Sequence, residues 1–206
     1  MDIDKIKIKW KEGAINQNTY VVEQKDSCIL IDAGVSVDEI RKITNKPILA
    51  VMLTHSHFDH IDYIEDYDKL KIPIYASLYT KKSMLDSNLN VSFMIKPRPY
   101  RVSKINELND NETIKIGEII LKCLYTPGHS RDSVCYLVGD KLFSGDTLFS
   151  DSIGRTDFID SDKNEMIKSL SRLDTIDYKE LYPGHGRVSS KAEQNQNIQH
   201  WLSILK

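Results

Sequence analysis

Three histidines and an aspartate crowd the segment Thr54-His55-Ser56-His57-Phe58-Asp59-His60. Imidazole and carboxylate are natural ligands of divalent transition metals, and burying several such groups without partners is costly. A cation bound among them would offset that cost. A His-x-His pair by itself also fits an ordinary polar loop, so the rest of the chain has to decide. Of the six histidines, five are His55, His57, His60, His129 and His185. With Asp59 and Asp146 they make seven candidate ligands. One cation with an open catalytic position needs three or four protein ligands. Seven suit two cations that share a bridge.

The elements that must position these groups are visible as apolar runs. Ile48-Leu49-Ala50-Val51-Met52-Leu53 is an unbroken segment of strand length leading into the histidine cluster. Leu121–Tyr125 leads through Thr126-Pro127-Gly128 to His129, and Lys179–Tyr182 through Pro183-Gly184 to His185. Lys141–Gly145 ends at Asp146, and Ile29–Ile31 at Asp32. Five strand-like runs therefore finish at a potential ligand or its neighbour. In sheets covered by helices, sites gather at the carboxyl ends of strands.

Ile3, Ile6 and Ile8 begin a first strand, Asn18–Glu23 reads as a second, and Cys28–Ile31 as a third beyond the turn Lys25-Asp26-Ser27. Ser36 is an N-cap for a helix with Val37, Ile40 and Ile43 at helical spacing, stopped by Pro47. Ile61, Ile64 and Leu70 predict a helix beside the site, its acidic residues Asp62, Glu65, Asp66 and Asp68 forming a solvated face. A short strand, Ile72–Ala76, and a short helix, Leu78–Leu85, follow. Asp86–Ser103 has no clean period and two prolines, yet holds Phe93, Met94, Ile95 and Tyr100. It reads as a loop packed on the core or as a flap walling a substrate pocket. Asn106–Tyr125 reads as strands turning at Asn109-Asp110-Asn111 and Gly117-Glu118, and Val134–Val138 with Leu142-Phe143 as a hairpin. Asp162 caps a helix carrying Met166, Ile167, Leu170 and Leu173, and a last helix covers about Lys191–Leu205. Two groups of strands, each followed by helices, predict an α/β protein built as an αββα four-layer sandwich.

The chain has 206 residues, 40% hydrophobic and 28% charged, with a net charge of −2. That suits one globular domain over 1–206 and gives no reason to expect nucleic acid or an anionic membrane as partner. The three cysteines, Cys28, Cys123 and Cys135, lie in apolar runs and read as small buried hydrophobes. The N-terminal Met1–Lys9 alternates charge with isoleucine, unlike a secretory signal, so a cytoplasmic location is expected. Composition is silent on oligomeric state.

The ordered motifs His-x-His-x-Asp-His, Thr-Pro-Gly-His129, Ser-Gly-Asp146-Thr-Leu-Phe and Pro-Gly-His185-Gly resemble the metallo-β-lactamase superfamily, from Asp32-Ala33-Gly34 to the last helix. The motif set is specific for the fold and the metal, less so for the substrate. The resemblance implies that His55, His57 and His129 hold one metal, that Asp59, His60 and His185 hold another, and that Asp146 bridges them. It puts Asp32 behind the ligands, holding a histidine by a hydrogen bond. Zinc is the default for this ligand mix, with iron or manganese as alternatives. Asp146 and the following Ser152-Ile153-Gly154-Arg155-Thr156-Asp157 look like glyoxalase II and its short single-domain relatives. The resemblance then implies hydrolysis of a small thioester by a hydroxide held between the metals, with Asp59 orienting it. Arg155 would act electrostatically near the site or brace a loop.

The chain departs from full-length glyoxalase II after His185, where only a short tail stands in place of the helical domain that grips glutathione. It also departs at Ser130-Arg131-Asp132-Ser133, which is expected to alter the pocket wall and not the metals. Persulfide dioxygenases resemble the same motifs but use one iron, for which His55, His129 and Asp146 would be the triad. Lactonases and a non-catalytic metal-stabilised module also remain open. Nucleases of the superfamily usually carry an added arm or clamp domain, and no basic extension is present.

Overall fold

A computed structural model describes residues 6–205. Its strands form two six-stranded sheets. The first runs in chain order across the sheet: β1 (Lys7–Glu12), β2 (Asn18–Gln24), β3 (Ser27–Ile31), β4 (Ile48–Met52), β5 (Ile74–Ser77) and β6 (Asn106–Leu108). β1, β2 and β3 pair antiparallel, and β3 to β6 pair parallel. The second sheet holds β7 (Thr113–Ile116), β8 (Ile119–Tyr125), β9 (Val134–Val138), β10 (Lys141–Gly145), β11 (Glu180–Pro183) and β12 (Ser189–Ser190). Only β10 and β11 pair parallel there. The helices are α1 (Val37–Arg41), α2 (Phe58–Ile61), α3 (Ile64–Lys69), α4 (Thr80–Met84), α5 (Lys163–Thr175) and α6 (Lys191–Leu205).

The period-two alternation of strands sorts side chains into layers. In β3, Ile29 and Ile31 enter the core between the sheets, while Cys28 and Leu30 enter the layer under α1 to α4. In β9, Val134, Tyr136 and Val138 face the other sheet, while Cys135 packs under α5 and α6 with Met166, Leu170 and Ile198. This is the expected four-layer αββα sandwich. All three cysteines are buried, as expected, and burial pushes the Cys28 and Cys135 thiols up to about 11 and Cys123 to about 12. Among the described residues no helix is long and apolar enough to cross a membrane.

Register levels the strand ends that carry the candidate ligands. Met52 of β4 stands beside Ile31 of β3, so Asp32 and Thr54 emerge together. Two tyrosines clasp the sheets at this rim. Tyr136 of the second sheet donates to the Leu53 carbonyl at 2.8 Å, and Tyr20 of the first donates to the Pro183 carbonyl at 2.7 Å. Each bond satisfies a buried hydroxyl and ties one ligand-bearing turn to the opposite sheet.

Several elements differ from their sequence reading. Ile3 lies outside the described residues, and β1 starts at Lys7. The helix expected after His60 is two short ones, and it starts inside the motif, at Phe58. Leu70 is 56% exposed and caps α3 instead of packing. The turn at Asn109–Asn111 is no hairpin, because β6 pairs with β5 and β7 with β8, so the chain changes sheets there. Alternation alone does not say which neighbour a strand chooses. The N-caps came out as expected, with Ser36 Oγ accepting from the Glu39 amide and Asp162 Oδ1 from the amides of Asn164 and Glu165.

Candidate metal centre

All seven candidate ligands meet at one rim. His55 and His57 follow the end of β4, His57 in extended backbone, and Asp59 and His60 then lie in the single turn of α2. His129 follows β8, Asp146 follows β10 and His185 follows β11, each at the carboxyl end of its strand. Ligand atoms within 4.8 Å of one another group as His55, His57 and His129, as His55, His60 and Asp146, and as Asp59, His60 and His185. His129 Nε2 is 2.9 Å from His57 Nδ1. Asp146 lies between the groups, with Oδ1 3.2 Å from His60 Nε2 and Oδ2 3.5 Å from His185 Nε2 and 3.6 Å from His129 Nε2. Asp59 Oδ2 is 3.1 Å from His185 Nε2.

Glycine is required where backbone passes these groups. Gly145, just before Asp146, has φ +49, and a Cβ there would sit 2.5 Å from Thr54 Oγ1. A Cβ on Gly184 would run into Asp146 Oδ1.

The hydrogen bonds around the cluster orient the rings. Asp32 accepts from the Thr54 amide at 2.7 Å, from Thr54 Oγ1 at 2.8 Å and from His60 Nδ1 at 2.7 Å. Thr54 Oγ1, its proton on Asp32, then accepts from His55 Nδ1 at 3.2 Å. The Arg155 carbonyl accepts from His129 Nδ1 at 3.0 Å. Assigned from these partners, Nε2 is the free nitrogen on the rings of His55 and His60, whereas His129 Nε2 faces His57 Nδ1. Asp32 thus stands where the resemblance put it. Thr54, Tyr20 and Tyr136 were missed in the sequence, and the tyrosines had no local signal because they act across the sandwich.

His55 Nε2, His60 Nε2 and Asp146 Oδ1 are buried and make no hydrogen bond. Orphaned groups of this kind, converging from separate strands, are what a cation-binding site requires and what an apolar core rejects. Burial, and then the neighbouring histidines, hold the His55 and His57 imidazoles well below their usual range, and burial does the same more mildly for His129. Burial opposes the charged form of His60, but Asp146, Asp32 and Asp59 outweigh it and hold the ring well above its usual range. The three depressed imidazoles keep a lone pair for a metal at neutral pH. The donor set, all imidazole and carboxylate, suits zinc, iron or manganese.

The cluster forms the floor of a cavity of about 490 Å³, bordered by His57, Asp59, His129, Asp146 and His185. Val91, Met94 and Ile95 of the 86–103 loop wall one side of it. That loop is clipped to α3, where Glu65 accepts from Arg98 Nη2 and the Arg101 amide, both at 2.8 Å, and Asp68 from the Ser103 amide at 2.9 Å. The acidic face of α3 therefore holds the flap instead of meeting only solvent. Arg155 forks onto Asp157 at 2.6 and 2.7 Å, the loop-bracing alternative. Ser130-Arg131-Asp132-Ser133 does not border this cavity. Ser130 and Asp132 are buried and hydrogen-bonded at 2.7 Å, and Arg131 lines a separate cleft beside Gly128 and Glu165. The expected change to the pocket wall is corrected to a change in the packing behind His129.

The family model of the metallo-beta-lactamase superfamily matches residues 13–185. The probable metallo-hydrolase YqgX of Bacillus subtilis is 35% identical over 92% of this chain and 96% of its own. The cytoplasmic isozyme of hydroxyacylglutathione hydrolase from Saccharomyces cerevisiae is 28% identical over 94% of this chain and 72% of its own. Among solved structures, that of BLEG-1, a B3 metallo-beta-lactamase, is similar with a TM-score of 0.85 at 30% identity, covering 96% of this chain and 100% of that one.

Proposed function

The chain belongs to the metallo-beta-lactamase superfamily of metal-dependent hydrolases, and from that premise we propose that it is a dinuclear thioester hydrolase of the glyoxalase II kind. The observation that carries the reading is the position of Asp146, whose two oxygens face histidines of both ligand groups. His55, His57 and His129 would hold one divalent cation and Asp59, His60 and His185 the other, with Asp146 shared between them. Zinc is the default occupant. Bound there, such ions would bring the pKa of coordinated water to about 7 and polarise a scissile carbonyl.

The chain's own residues do the remaining work. Asp59 reaches the cavity and touches His185 Nε2, so its carboxylate orients the attacking water and takes its proton. The water oxygen bonds to the acyl carbon, the carbon–sulfur bond breaks, and the leaving sulfur receives the proton, giving a carboxylic acid and a thiol. Phe149 and Phe158 border the cavity and keep bulk water from the ligands. The substrate is a small molecule, and the reaction runs as a single 1–206 domain. A cytoplasmic setting is supported by the yeast relative's name and three buried free thiols.

The test is elemental analysis of protein purified without added metal, paired with turnover of a panel of thioesters, esters, lactones and a β-lactam. Two metals per chain with thioesters turned over fastest is the expected result. One iron per chain with oxygen uptake on glutathione persulfide overturns it, as does a preference for the β-lactam or a lactone.

A further inference from the structure

We propose that the substrate's acyl group is an apolar chain of medium length, and that the thiol carrier is not gripped through carboxylates as glutathione would have to be. This rests on the thioester hydrolase reading and names the substrate class of that site. Beyond the candidate ligands and Arg155 the cavity wall is apolar, with Phe58 of α2 joined by side chains from three further stretches of chain. Ile15 comes from the turn between β1 and β2, Met94 and Ile95 from the 86–103 loop, and Phe149, Ile153 and Phe158 from the segment after Asp146. Ile15, Met94 and Ile95 are 61%, 57% and 68% exposed. Single exposed aliphatics mean little, but three that converge on one concave site with aromatic walls mark a surface waiting for an apolar occupant.

The backbone supports the same conclusion. Ile15 has φ 48 and Val91 φ 59, both in the left-handed region, where a β-branched residue is an outlier. Both border the cavity, from separate stretches of chain. Such strain persists only where surrounding structure holds it, and it concentrates at ligand clamps.

Charge argues against glutathione. Apart from histidine, Arg155 is the sole cationic side chain among the described residues that borders the cavity. Its guanidinium is forked onto Asp157 and lies 4.6 Å from the Phe158 ring centre, so its charge is already matched. Glutathione carries two carboxylates, and among the described residues this wall offers no unpaired cation to receive either. An acyl chain asks only for apolar surface, which the wall supplies.

The test compares thioesters of one thiol, N-acetylcysteamine, bearing acetyl, butanoyl, hexanoyl and octanoyl groups, on the metal-loaded protein. Full burial of a methylene would raise kcat/KM about fourfold, so with partial burial an acetyl-to-octanoyl gain of at least ~30-fold is expected. S-lactoylglutathione should fall below the octanoyl ester by about tenfold or more. Replacing both Met94→Ser and Ile95→Ser, two exposed residues, should flatten the series to less than about tenfold. A flat series in the wild-type protein with S-lactoylglutathione preferred overturns the proposal and leaves the thioester reading standing. A calorimetric arm stands apart from turnover, because acetate and octanoate share the same carboxylate. Octanoate binding at least about tenfold tighter supports the apolar seat, and equal affinities overturn it. Should no thioester be hydrolysed while octanoate still binds tighter, the thioester reading falls and the apolar site remains.

Discussion

The two sheets deliver their candidate ligands in different ways. The first supplies four candidates from one six-residue stretch, where extended backbone at His57 passes into the turn of α2 at Asp59 and His60. The second supplies one from each of three strand ends, His129, Asp146 and His185, from distant parts of the chain. The first cluster is set by local backbone geometry. The second exists only because β8, β10 and β11 run in one direction within one sheet, with glycines at Gly145 and Gly184 letting the turns crowd together. Loss of one residue from the local cluster leaves neighbours to compensate, whereas Asp146 is the carboxylate whose two oxygens face histidines of both ligand groups.

Removing that residue is therefore the harshest test. Asp146→Ala is expected to lose most bound metal and to lower turnover by about a thousandfold or more. Elemental analysis and kinetics check it, and wild-type metal with intact turnover would break the bridging assignment. On the local side, His57→Ala should lose about half the bound metal and most activity under the two-metal scheme. Retention of one full equivalent of iron with activity would favour the mononuclear scheme, in which His57 is no ligand.

Subtler changes separate ligands from their supports. Asp32 has φ 66, a conformation asparagine also tolerates, so Asp32→Asn alters the charge and not the backbone. Metal affinity is expected to fall about 10- to 100-fold, read by competition with a chelator, because the amide keeps one acceptor oxygen for Thr54 but loses the second oxygen and the charge that face His60. An unchanged affinity would show that Asp32 supports the fold alone. Gly184→Ala pushes a methyl into Asp146, and a fall of about tenfold in affinity is expected if strand-end crowding positions that carboxylate. The smallest effect lies outside the centre. Burial raises the Asp160 carboxyl to about 6, and unfolded it titrates near the ordinary 3.8. The folded state thus binds this proton more tightly, and stability attached to it is lost as pH rises from about 4 through about 6. Asp160→Asn should gain on wild type in urea midpoint across that window, with no difference below it and no change in metal content.

The histidine cluster, the strands feeding it, the helix caps at Ser36 and Asp162 and the four-layer class were legible because each depends on spacing within a few residues. The sheet switch after β6, the exposure of Leu70 and the buried position of Ser130 and Asp132 were not, since each depends on which surface a segment meets. The sequence alone determined the inventory of the site: which side chains can hold a cation, and that strands end beside them. Only the tertiary structure decided that they share one rim, that Tyr20 and Tyr136 clasp it, that Glu65 and Asp68 hold the flap, and that the wall above the ligands is apolar. Ligand chemistry resides in residue type, which a sequence states outright. Convergence resides in register and sheet packing, which arise from the summed burial of the whole chain and are written at no single position.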